Sequence, residues 1–190
     1  MYPLLACSVI SLTIILERAY FWIREDRRID RDLVDQVLEL ARTNRHEEIR
    51  EKTHSSPDYV VKILVCGLVH KDYSLSKAME MAALEEIKRM QRRLPVLDTM
   101  ITVAPLLGIL GTVLGIIDSF DMLGRAGIQN PQAVTAGIAQ ALLTTAAGLV
   151  IAIFTLFPYN YFNAKVQKAR LRIEKYATSL ELVNGGEGRR

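Results

Sequence analysis

The stretch from Ala133 to Phe162 carries no charged side chain, and neither does the stretch from Thr99 to Ile117. A soluble domain interleaves apolar and charged residues at helical or strand period. Here 50% of the residues are hydrophobic and 24% are charged, yet the two sets are segregated along the chain. Crossing a bilayer takes about 20 mainly apolar residues, and both runs meet that length. A third run, Tyr2 to Leu16, is shorter. It reaches Ile23 if Glu17 and Arg18 sit at the interface, where Tyr20, Phe21 and Trp22 would form an aromatic belt. Part of its outer turn is expected to be missing. The N-terminus lacks a basic region before the apolar run, and Glu17-Arg18 follows without small residues, so no cleavable signal peptide is expected.

Basic residues orient the three spans. Arg24, Arg27, Arg28 and Arg31 follow the first, Lys88, Arg89, Arg92 and Arg93 precede the second, and Lys165, Lys168, Arg170 and Arg172 follow the third. Between the second and third, Asp118 to Gln132 holds only Arg125. Lysine and arginine accumulate on the cytoplasmic side, which places the N-terminus outside and the C-terminus inside. The resulting division is a first transmembrane helix over 1–23, a cytoplasmic helical segment over 24–94, a second transmembrane helix over 95–123, a periplasmic loop over 124–132, a third transmembrane helix over 133–163, and a cytoplasmic helical extension and tail over 164–190. Within 24–94, Leu33, Val34, Val37, Leu38 and Ala41 recur at helical spacing. His54-Ser55-Ser56-Pro57 interrupts them. A second helix is expected from Tyr59 to His70, and a third from Ser74 or Ser76 that runs on into the second span with Pro95 in a kink. Val166, Ala169, Ile173 and Ala177 carry the third span's helix past Asn163. The tail from Gly185-Gly186 is expected to be disordered.

Catalytic signatures are missing: there is no Gly-rich phosphate loop, HExxH or GxSxG. Cys7 and Cys66 are isolated, and His46, His54 and His70 lack metal-ligand spacing, so neither an enzyme nor a metal site is expected. What remains is polar patterning inside the apolar runs. Asp98, Pro105, Thr112 and Ser119 recur every seven residues, nearly two helical turns, and so lie close to one stripe. Such a stripe faces protein or water rather than lipid, unless its hydroxyls simply bond back to the preceding turn. In the third span Ala133, Gly137, Ala141 and Thr145 are spaced by four and Gly148 and Ala152 continue the face, while the second span offers Gly108, Gly111 and Gly115. Small residues let membrane helices approach closely, within one chain or between subunits. Gln140 and Thr144, one turn apart, read as interhelical glue or as pore-facing groups. The carboxylates near these spans, Asp98, Asp118 and Asp121, fall at their ends. A proton path needs an ionisable group near the membrane's middle, so either this chain conducts nothing or a partner brings the acid.

The run Ala104-Pro105-Leu106-Leu107-Gly108 to Gly111-Thr112-Val113, and the run from Gly137 to Leu149, resemble the two signatures of the MotA/TolQ/ExbB proton-channel family, in its ExbB/TolQ branch. Leu16-Glu17-Arg18 at the end of the first span is similar to that branch too. The resemblance implies an all-α membrane protein in the bacterial inner membrane, with three transmembrane helices and long cytoplasmic helical extensions, assembling as a homopentamer around a central pore. It implies a dimer of an ExbD/TolR-like single-span partner in the pore, a TonB- or TolA-like protein beyond it, no nucleic acid, and no cofactor, protons being the transported ion. Thr112 and Thr145 match the family's pore threonines, around a membrane aspartate of the partner. Asp98, Pro105 and Gln140 complete the pore-lining set; Gly108, Gly111, Gly115, Gly137, Ala141 and Gly148 form the helix-packing set. Two positions depart from the family pattern. Gln140 stands where an acid is frequent and has no proton to release, and Phe154 stands near the usual place of a proline, with Pro158 following later. The expected function is a proton-driven motor subunit serving TonB-dependent import or Tol-type envelope maintenance. The alternative is a non-conducting scaffold for a single-span partner.

Overall fold

The computed structural model describes residues 2–126 and 131–185. Among them the chain forms seven helices: α1 (Tyr2–Asp26), α2 (Arg31–Arg42), α3 (His46–Thr53), α4 (Tyr59–Val69), α5 (Lys71–Gln91), α6 (Leu94–Ala126) and α7 (Pro131–Gly185). Three helical stretches, in α1, α6 and α7, are long and apolar enough to cross a membrane. The centre of the expected loop, 127–130, and the tail from Gly186 lie outside the described residues. The helices assort into two compact units. One holds the chain up to Arg18 together with Arg93–Phe162; the other holds Ala19–Arg92 and the chain from Asn163 on.

In the first unit α1 buries Leu4, Cys7, Ser11, Ile14 and Arg18, a spacing of three and four that makes one helical face. The large side chains of α6 and α7 stay exposed, Leu106, Ile109, Leu110, Leu142, Leu143 and Phe157 among them, as lipid or further protein would require. Arg18 is only 3% exposed. Its charge is met by the neighbouring Glu17, whose Oε1 lies 2.6 Å from the guanidinium. The other oxygen of Glu17 lies 3.2 Å from Arg93, at the foot of α6.

The second unit is built around α4. This helix is apolar on nearly every side, with Tyr59, Val60, Val61, Ile63, Leu64 and Leu68 buried. Its eleven residues span only about 16 Å, short of a bilayer. Asp58, 1% exposed, starts it: one carboxylate oxygen accepts from the Val60 amide at 2.7 Å and the other from the Asp30 amide at 2.8 Å. Asp30 in turn caps α2 through the Leu33 amide at 3.0 Å, so one buried carboxylate ties two helix starts together. Burial pushes the Tyr59 phenol above its ordinary range, against the opposing pull of Arg172. The apolar stripe of α7 beyond Asn163 is buried at Val166, Ala169, Ile173 and Leu180. Several charges of α1, α5 and α7 are paired. Glu25 accepts from Arg89 at 2.5 Å, Arg89 also meets Glu86 at 2.7 Å and lies 5.4 Å from the Phe21 ring centre, and Lys165 pairs with Asp26.

Two local readings change. The expected third helix lies within α5, which kinks at Ser74: this residue is extended (φ −172°) and its hydroxyl accepts from the Lys77 amide at 3.3 Å. It does not run on into the second span. The chain breaks at Arg92 and Arg93, where Arg93 takes φ 68°, and α6 begins at Leu94. A continuous helix would press the Pro95 ring against the carbonyl four residues before it, whereas the first turn of a new helix needs no amide there. The polar segment before His54 also folds, as α3, which the sparse apolar pattern around Ile49 did not announce.

Candidate functional site: a hydroxyl cluster between two spanning helices

The site begins with missing side chains. A Cβ on Gly148 would stand 2.5 Å from the Ala104 carbonyl oxygen and 3.2 Å from the Gly108 Cα; one on Gly108 would stand 3.0 Å from the Thr144 carbonyl oxygen. Those neighbours are backbone and cannot swing away. A Cβ on Gly115 would stand 2.7 Å from the Ala141 Cβ, and one on Gly137 would run into the Ser119 hydroxyl. The whole packing set, Gly108, Gly111, Gly115, Gly137, Ala141 and Gly148, therefore lies along the α6–α7 seam, where backbones approach as small residues permit. The side chain of Ala133, the first member of the α7 series, is outside the described residues.

Close approach brings hydroxyls of one helix onto carbonyls of the other. The Thr112 hydroxyl lies 3.2 Å from its own Gly108 carbonyl and 3.0 Å from the Ala141 carbonyl of α7. The Thr145 hydroxyl donates back to Gly108 at 3.0 Å, and the two threonine oxygens are in direct hydrogen-bond contact. Thr144, 8% exposed, adds a third hydroxyl, 2.7 Å from the Ala141 carbonyl and 3.3 Å from that of Gly108. It fits because Gly111 has no Cβ, which would stand 2.7 Å from its oxygen. Thr112 and Thr145 are half-buried. The cluster is thus three hydroxyls on two carbonyls, with neutral donors and acceptors that can serve a carboxylic acid or a carboxylate.

Not every residue of the seven-residue stripe joins it. Ser119 is 2% exposed and bonds back to the Gly115 carbonyl at 2.8 Å. Pro105 is half-buried within α6, and Asp98 is exposed beside the Tyr159 hydroxyl. Seven residues fall about 20° short of two turns, so the stripe drifts along the helix and its ends face other neighbours. Gln140 is exposed one turn before Thr144, and Phe154 is exposed as well. Helix α7 runs unbroken through Pro158. Thr144 read in the sequence as a companion of Gln140; the helix–helix contact puts it with Thr112 and Thr145 instead. Its adjacency to Thr145 and its place four residues before Gly148 were the available signals. Among the described residues no group of three or more His, Cys, Asp or Glu could hold a metal.

Comparison with known proteins points the same way. The model of the MotA/TolQ/ExbB proton channel family matches residues 67–175. The ExbB-like 3 protein of Synechocystis sp. is 36% identical over 186 residues, covering 95% of this chain and 88% of that one. The biopolymer transport protein ExbB of Aquifex aeolicus is 40% identical over 84 residues, 44% of this chain and 57% of that one. The Tol-Pal system protein TolQ of Haemophilus influenzae is 40% identical over 90 residues, 47% of this chain and 40% of that one.

Proposed function

Because the chain belongs to the MotA/TolQ/ExbB proton channel family, we propose that it is the multi-pass subunit of an inner-membrane motor that turns proton-motive force into work on the cell envelope. The observation that carries this reading is the hydroxyl cluster in the α6–α7 seam, within the uncharged stretches of both helices, with Asp98, Asp118 and Asp121 standing only toward the ends of α6. Threonine hydroxyls cannot release a proton at ordinary pH. They can hold a carboxyl in both of its states, donating to the carboxylate and accepting from the acid. The acid is supplied by a single-span partner of the ExbD/TolR kind, two copies of which sit in the central pore of a homopentamer of this chain. Thr112 and Thr145 line that pore, with Asp98, Pro105 and Gln140 on its wall. The N-terminus is periplasmic and the charged helical unit cytoplasmic. A TonB- or TolA-like protein takes up the work, in TonB-dependent import or Tol-type envelope maintenance.

Valine matches threonine in shape and forms no hydrogen bond. Thr145→Val is expected to leave the oligomer intact and stop partner-dependent proton flux, and Thr112→Val to weaken it. Flux into vesicles holding the purified complex, read with an internal pH dye, is the measurement. The second reading is a scaffold that assembles a partner helix without conducting, and a Thr112→Val/Thr145→Val variant with undiminished flux would establish that the hydroxyls are not on the path.

A further inference from the structure

The cluster holds more donors than backbone acceptors. Three hydroxyl protons, those of Thr112, Thr144 and Thr145, face two carbonyls, Gly108 and Ala141. A carbonyl has two lone pairs, and in a helix one of them already takes the amide four residues on. One place is left on each. The distances assign both places: Thr144 is closest to Ala141, at 2.7 Å against 3.0 Å for Thr112, and Thr145 is closest to Gly108, at 3.0 Å against 3.2 Å for Thr112 and 3.3 Å for Thr144. Thr112 is the odd one out. With Thr145 donating to Gly108 and Thr144 to Ala141, the Thr112 proton is left to the Thr145 oxygen, with which it is in hydrogen-bond contact.

We propose that Thr144 is a positioning residue: by occupying the Ala141 carbonyl it keeps the Thr112 proton off the backbone and available to the carboxylate of a partner in the pore. The inference rests on the motor reading given above. Without the Thr144 hydroxyl, the Ala141 carbonyl stands open 3.0 Å from Thr112 and takes that proton. Thr112 then still accepts from a carboxylic acid, but to donate to a carboxylate it gives up a backbone carbonyl, a stronger acceptor than the Thr145 hydroxyl that it gives up in the parent protein. The carboxylate form loses support relative to the acid, so the partner's carboxyl holds its proton to higher pH. The ionisable groups on the helices of the unit that holds the cluster are Asp98, Asp118, Asp121 and Arg125 on α6, Tyr159 and Tyr161 on α7, and Tyr2, Cys7, Glu17 and Arg18 on α1. The nearest along its own helix, Asp118, is about 9 Å from Thr112, so the titration at the cluster is the partner's.

The test is the pH dependence of proton flux in vesicles carrying the complex of this chain with a co-expressed ExbD/TolR-like subunit. Thr144→Val keeps the shape and removes the hydroxyl; the pH of half-maximal flux is expected to rise by about one unit. Thr144→Ser keeps the hydroxyl and is expected to retain the parental profile. In a Thr112→Val background, where flux is weakened but measurable, adding Thr144→Val is expected to shift nothing, because the effect runs through Thr112. If Thr144→Val fails to assemble, Thr144→Ala removes the same hydroxyl from a smaller side chain and carries the same expectation. An unmoved profile, or an equal shift in the Thr112→Val background, overturns the role of Thr144 and leaves the motor reading standing. Full flux in the Thr112→Val/Thr145→Val variant overturns both.

Discussion

Glu25 is a carboxylate with 2% of its surface exposed, and its neighbours decide what that costs. Arg89 meets it at 2.5 Å, and Arg28, one turn on, stands 3.9 Å away. Removing one partner of a buried pair leaves the other charge uncompensated and costs about 3–5 kcal/mol when both are deep. Arg89 is 37% exposed and keeps Glu86 at 2.7 Å, so Glu25→Gln is expected to cost less, about 2 kcal/mol. Glu39 and Arg42 offer the contrast. They lie 3.8 Å apart with 70% and 66% of their side chains exposed, and pairs in water contribute about 0–1 kcal/mol. Thermal melts of the purified protein should therefore separate Glu25→Gln from Glu39→Gln clearly. Equal melting temperatures would mean that the charges around Glu25 are solvated.

At the scale of elements, the α6–α7 seam and the α4–α5 contact use glycine with different tolerances. A Cβ on Gly67 would stand 2.5 Å from Cγ and 3.0 Å from Sδ of Met79, a flexible thioether that can turn aside. A Cβ on Gly148 would meet the Ala104 carbonyl at the same 2.5 Å, and a carbonyl inside a helix cannot move without the helix. Gly148→Ala is thus expected to destabilise by about 1–3 kcal/mol and Gly67→Ala by much less. Gly148→Leu should separate the helices and disperse the hydroxyl cluster. Its oligomer is expected to be lost or shifted in size-exclusion chromatography and its melting temperature lowered; an unchanged elution volume and melt would show that the seam is not what holds α6 to α7.

The whole molecule is set by which segments are charged. Basic residues flank all three span ends that the charge pattern places inside, while the α6–α7 connection carries Arg125 as its one basic residue. That asymmetry predicts a testable orientation. Ser55, in the break between α3 and α4, should be reached by thiol reagents only from the cytoplasmic side once replaced by cysteine. Gly124, exposed near the end of α6 with nothing within 4 Å of where its Cβ would stand, should be reached from the periplasmic side. Both variants are made after replacing Cys7 and Cys66. Labelling of Gly124→Cys from inside would invert the orientation and with it the direction of proton entry.

Hydropathy and charge placement were enough to read three apolar helices, the continuation of α7 past Asn163 and the small-residue face, because a bilayer-length apolar run with no charge leaves a chain few alternatives. The helix from Tyr59 was legible too, and so was the regular run of α5 after the kink at Ser74. The break at Arg92–Arg93 was not: it depends on a positive φ at an arginine, which residue type does not announce. Nor was the company of Thr144. Periodicity ranks residues around one helix axis, and by that ranking Thr144 belongs with Gln140. Which carbonyl lies opposite is a property of two helices at one separation and one register. Gly108, Gly111 and Gly148 permit that approach, and only the packed pair decides that three hydroxyls converge on two carbonyls.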